Sequence, residues 1–160
     1  MGKFIAFLLV LGLGIGAWYF VAGPGKGRLG GGSYSGGQSD QASSGGHGNL
    51  PAVFADLSFE KALAENATSG KPLVVNMSAS WCPPCQQMKK QVWPDPKVAS
   101  WFATNGKAIY VDVDQDKAVA SKLNIKSMPT MVVFKNGKEV SRTSGGRGAS
   151  DLISWLDKYK

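Results

Sequence analysis

Histidine is nearly absent from this chain, and cysteine is scarce. The 160 residues contain one histidine, His47, and two cysteines, Cys82 and Cys85. A Cys-x-x-Cys pair is half of a tetrahedral zinc site, but the other two ligands are missing, since His47 lies far away in a Gly/Ser-rich stretch. No metal is therefore expected. Covalent haem attachment needs a histidine directly after the second cysteine, where this chain has Gln86. A disulfide between residues three apart closes too small a loop to be a useful structural brace. Acidic residues are also in short supply, 11 against 18 Lys and Arg, for a formal charge of +7. Residues 1–50 carry +2 of this and residues 51–160 carry +5, spread rather than blocked, and no nucleic-acid motif accompanies it. The surplus reads as a solvated surface with a mild preference for acidic partners or anionic lipid heads.

What is present divides the chain in three. Residues 4–22 form a 19-residue run without a charged side chain. As a helix it would reach about 28 Å, close to the ~30 Å hydrocarbon core, so 1–22 reads as a single N-terminal membrane anchor. A cleaved signal peptide is the rival, with Lys3 as its charged start. The run exceeds the usual ~7–15-residue apolar region, and Trp18, Tyr19 and Phe20 stand where small cleavage-site residues are wanted. Residues 23–50 read as a flexible tether: from Gly23 to Gly48, 16 of 26 residues are Gly or Ser. Such a segment cannot bury enough surface to offset its ordering entropy, and its expected reach is about 25–30 Å.

Residues 51–160 have the make-up of one folded domain. Ser58 is positioned to cap a helix running to about Ala67, and Leu73–Met77 is a continuous apolar run suited to a central strand. A helix should follow Cys82 to about Trp93, ended by Pro94 and Pro96. Asp95-Pro96 should then open another helix, stopped at Gly106, with Trp93 and Trp101 in the core. A strand over 108–113, a helix over 114–123 and a hairpin of 131–134 with 139–142 around Asn136-Gly137 follow. Ser150 is the expected cap of a last helix.

The two cysteines thus fall at a strand-to-helix junction. There the unpaired N–H groups and positive end of the helix dipole lower a thiol pKa from its usual value of about 8.5. Cys82, at the helix start and open to solvent, is expected to attack; Cys85, one turn on and more shielded, to resolve. Pro83 and Pro84 suit a first turn whose N–H groups have no intrahelical partner.

Trp81-Cys82-Pro83-Pro84-Cys85 resembles the active-site motif of the thioredoxin superfamily, and the stretch from near Pro51 to Lys160 looks alignable with it. Ser127-Met128-Pro129-Thr130 is similar to that family's cis-proline loop, and Phe134-Lys135-Asn136-Gly137-Lys138 to its hairpin. The resemblance implies an α/β fold, a central mixed sheet flanked by helices. It also implies a redox-active Cys82–Cys85 disulfide without further cofactor, a Trp81 rim, and Met128 backbone held by Pro129 for strand-like pairing with substrate. Gly145 matches a family glycine by position. Many members carry a buried aspartate at the position of Asn76, a proton-relay position, paired with a lysine where this chain has Tyr110.

The resemblance further implies protein disulfide substrates, an electron-donating redox partner, and a monomer tethered to a membrane. Charges flank the apolar run on both sides and do not orient it. Analogy with anchored bacterial thioredoxin-like proteins places the domain on the periplasmic, extracytoplasmic side. A disulfide reductase is the favoured function; a disulfide oxidase or isomerase, and a non-catalytic metal-handling or assembly module, are the alternatives.

Overall fold

The computed structural model describes residues 49–160. Ser58 accepts from Lys61 N–H and starts α1 (Phe59–Ser69), which ends at Gly70. β1 (Leu73–Ser78) is buried along its whole length. α2 (Pro83–Gln91) begins at Cys82, and α3 (Pro96–Asn105) is capped by Asp95, which accepts from Lys97 N–H. β2 (Lys107–Asp112), α4 (Lys117–Lys122), β3 (Thr130–Lys135), β4 (Lys138–Ser144) and α5 (Ala149–Leu156) follow, with a final 3-10 turn at Asp157–Tyr159.

The sheet order is β2-β1-β3-β4, with β1 parallel to β2 and antiparallel to β3, and β3 antiparallel to β4. Alternation along β1 feeds two cores. Leu73, Val75 and Met77 meet Phe59, Ile109 and Val119 on the face carrying α1 and α4. Val74 meets Met88, Trp93, Trp101 and Leu152 on the opposite face, under α2, α3 and α5. This is the expected mixed sheet with helices on both sides.

Three expectations need correction. The fourth helix starts at Lys117, not Asp114, because Asp112 Oδ1 accepts from Asp114 N–H and holds a turn there; Asp116 is the cap, accepting from Val119 N–H. The last helix starts at Ala149 behind Gly148, so Ser150 lies inside it and caps nothing. The second helix stops at Gln91, where Val92 and Trp93 N–H both turn back to Met88 O. Trp93 and Trp101 are core residues, as expected.

Asn136 (φ 54°) and Gly137 (φ 74°) close the β3–β4 hairpin in the left-handed pair of conformations that two-residue turns favour. The ladder shifts between Val133, opposite Ser141, and Phe134, opposite Glu139. Val140 is the extra residue of this bulge and turns out to solvent. A buried amide fixes the hairpin to the body: Asn66 Nδ2 donates to Lys71 O (2.8 Å) and Phe134 O (3.4 Å), and its Oδ1 accepts from Gly137 N–H (2.9 Å). Asn66→Ala strips three partners at once and should cost about 1–3 kcal/mol, read as a lower denaturant midpoint at unchanged slope. An unmoved midpoint would show that the clamp contributes nothing.

Among the described residues no helix is long and apolar enough to cross a membrane. The expected anchor (1–22), residues 23–48 of the expected tether (23–50), and with them His47, lie outside the described residues.

Candidate active site

The C-terminal end of β1 delivers the chain to α2 through Ala79-Ser80-Trp81. Cys82 is the N-cap residue of α2 in extended conformation, and Pro83 and Pro84 occupy its first two helical positions. Their fixed φ matches a helix start, and they have no N–H to leave unpaired. The first N–H of the helix is therefore that of Cys85, and Gln86 N–H already bonds to Cys82 O (3.1 Å). The Gln86 side chain donates to Ala79 O (2.9 Å), stapling the entry to the helix.

Cys82 and Cys85 are joined as a disulfide, with S–S 2.06 Å and Cα–Cα 5.3 Å. The expected contrast in exposure is absent: Cys82 is 4% and Cys85 3% exposed. In the closed pair both cysteines pack against Ala79, with Met128 and Val113 beside them, so the leading residue is covered along with its partner.

The Met128–Pro129 peptide bond is cis, and Pro129 is buried while Met128 is half-buried beside the disulfide. This loop is braced from two sides. Thr130 Oγ1 donates to Ser127 O (2.8 Å) and shares a 2.7 Å hydrogen bond with Ser144 Oγ. Gly145 N–H donates to Pro129 O (2.8 Å) from a backbone at φ 93°, which only glycine adopts without strain. A Cβ on the next residue, Gly146, would stand 3.4 Å from Pro84, so the loop after β4 also borders the α2 start.

Trp81 is 64% exposed, yet its Nε1 donates to Asp114 Oδ2 (2.7 Å), which orients an apolar face next to the disulfide. Pro83 and Pro84 are likewise exposed at the helix start.

Asn76 lies in β1 opposite Tyr110 of β2 and is 3% exposed, and its Oδ1 has no hydrogen-bond donor. Tyr110 is half-buried; burial raises its pKa above the ordinary phenol value, partly offset by a hydrogen bond with Ser78. The sequence assigns no role at the site to Gln86, Asp114, Thr130 or Ser78. The pairings of Asp114, Thr130 with Ser144, and Ser78 all reach across elements, so no local pattern marks them. Among the described residues no group of three or more His, Cys, Asp or Glu side chains could hold a metal ion.

A dithiol that opens and closes at a helix start, beside a braced loop and an apolar rim, can exchange disulfides with another chain. Residues 51–158 match the family model described as Thioredoxin. Thioredoxin 1 of Synechococcus elongatus is 29% identical over 111 residues, covering 69% of this chain and 98% of that relative. A thioredoxin of Aspergillus fumigatus is 36% identical over 108 residues, covering 66% of this chain and 90% of its own. The X-ray structure of Fasciola hepatica thioredoxin superposes with a TM-score of 0.52 at 35% identity, covering 63% of this chain and 90% of that one.

Proposed function

This chain belongs to the thioredoxin family and is a thiol–disulfide oxidoreductase with a Cys82–Cys85 pair, and from that premise we propose that it works as a membrane-tethered reductase of protein disulfides. The observation that carries the direction is the pair of prolines between the sulfurs. A strong oxidant is one whose reduced form is stabilised, chiefly by donors around the attacking thiolate. Pro83 and Pro84 remove two of the N–H groups that a helix start would otherwise aim there, and neither brings a charge. The reduced pair is accordingly less favoured and gives up its electrons more readily.

In this reading Cys82 thiolate attacks a substrate disulfide, breaking its S–S bond, forming a mixed disulfide and releasing one substrate thiol. Cys85 thiolate then displaces the second substrate sulfur from Cys82, and the Cys82–Cys85 bond closes. Two electrons pass to the substrate, and a donor of two electrons must reopen the pair; no other cofactor enters. Trp81, Pro83 and Pro84 form the docking rim, and Met128, held by Pro129, offers backbone to an extended substrate segment. The apolar run of residues 4–22 supports the tether, and analogy with anchored bacterial relatives of the fold supports a periplasmic site of action, with the domain acting as a monomer.

The deciding measurement is the reduction potential of the full chain against glutathione, with insulin reduction alongside. A value near the reducing end of the roughly −270 to −120 mV span, with insulin turnover, is expected. A value near the oxidising end would replace this reading with a disulfide oxidase or isomerase.

A further inference from the structure

Three strands finish at the end of the sheet that carries the disulfide. β1 and β2 are parallel, and β4, antiparallel to β3, runs the same way, in the order β2-β1-β3-β4. Asp114, after β2, and Arg147, after β4, therefore flank the cysteine pair from opposite edges of the sheet. The two charges are held differently. Asp114 accepts from the Trp81 indole. Arg147 has no carboxylate partner among the described residues.

Arg147 directly follows Gly146, the residue that borders Pro84 between the two cysteines. Its Nη2 donates to Thr143 Oγ1, and its guanidinium lies over the Trp155 ring of α5, 5.6 Å from the centroid. Thr143 pairs with Met131 and so faces the side of the sheet that carries α2 and α5. Arg147 Nε is buried and has no acceptor. Here is a cation partly stripped of water with no anion to compensate, and such a group gains more from an incoming carboxylate than a fully hydrated one does. Thr143 and Trp155 also fix the side chain beforehand, so less rotamer freedom is lost when a partner arrives. Lys126, two residues before Met128, is exposed and has neither support, so it must be ordered and desolvated on binding.

We propose, on the disulfide-exchange reading above, that Arg147 selects the substrate: it receives a carboxylate of an Asp or Glu close to the target cysteine. Asp114 at the other edge repels the same charge, so the acidic residue is favoured on one side of that cysteine only. The preferred substrate is a disulfide-bearing segment that lays its apolar part on Trp81 and its acidic residue toward the start of α5.

The test measures how fast the reduced full chain attacks symmetric disulfides of short synthetic peptides. These differ in one residue, Glu, Gln or Lys, placed two positions before or two positions after the cysteine. At one placement and about 0.02 M salt the Glu peptide should react at least about fivefold faster than the Gln peptide, and the Lys peptide more slowly than either. At about 0.5 M salt the advantage should fall below twofold. In Arg147→Gln the advantage should drop to within twofold, with the rates toward the Gln peptide and toward 2-hydroxyethyl disulfide unchanged. Lys138→Gln removes the same charge at the far end of β4 and should keep the full advantage. Arg147→Lys, which retains the charge, should keep at least about a twofold, salt-sensitive advantage. Equal rates for Glu and Gln peptides in the wild type, an advantage that survives in Arg147→Gln, its loss in Lys138→Gln or Lys126→Gln, or its complete loss in Arg147→Lys would overturn the proposal. An oxidising reduction potential or failure to reduce insulin would count against the reductase reading alone, since the peptide rates report exchange in either case.

Discussion

Cys85→Ser should stop the reaction halfway, with Cys82 held in a covalent mixed disulfide. The two cysteines are bonded to each other, and the chain contains no third. A serine hydroxyl, ionising several units above a thiol, cannot displace the substrate sulfur at neutral pH. Insulin reduction should fall by about a thousandfold or more, and intact-mass analysis should find the substrate adduct on Cys82. Cys82→Ser should lose turnover to the same extent but form no adduct, because the thiol left behind lies inside α2 and not at its N-cap. The two variants thus separate the roles assigned to the sulfurs. Adduct on Cys85 in the Cys82→Ser chain, or turnover near wild type in either variant, would refute that assignment.

Ile109→Ala should be strongly destabilising in the layer that packs α1 and α4 on the sheet. Ile109 is fully buried in β2 among Phe59, Val75, Val119 and Leu123. Removing three buried carbons in a packed layer costs about 2–5 kcal/mol, since the transfer free energy is lost and the cavity closes only in part. A loss of that size should be plain in the denaturant midpoint. The reduction potential should stay where it is, because Ile109 packs among residues of α1 and α4 and is not one of the residues that pack on the disulfide, which are Ala79, Val113 and Met128. A loss below about 1 kcal/mol would mean the site collapses around the smaller residue. A shifted potential would mean that this layer is coupled to the disulfide, with Val113, which packs on both, as the connection.

Caps show where sequence reading works and where it stops. Ser58 and Asp95 are recognisable because the acceptor side chain and the N–H that it satisfies lie two or three residues apart, so the signal is complete within a short window. Ser150 carries the same side-chain chemistry and fails, because the chain becomes helical at Ala149 after the Gly145–Gly148 loop, which is tied to Pro129 and packs on Pro84. Asp114 misleads for a related reason. Its acidity suits a helix start, but its N–H is taken by Asp112 and its carboxylate by Trp81.

The chemistry is legible in the chain alone: two cysteines three apart between an apolar strand and a proline-led helix, a proline loop before the next strand, and an Asn-Gly hairpin. Each is written in neighbouring residues and in alternations of two or about four. What surrounds the sulfurs follows only from the fold. It covered Cys82 as fully as Cys85, joined Trp81 to Asp114 and Gly145 to Pro129, left Asn76 Oδ1 without a donor, and brought Ser78 to Tyr110. Those contacts depend on strand register and helix packing across 16 to 33 residues of chain, and no local preference encodes a distance that only the folded sheet establishes.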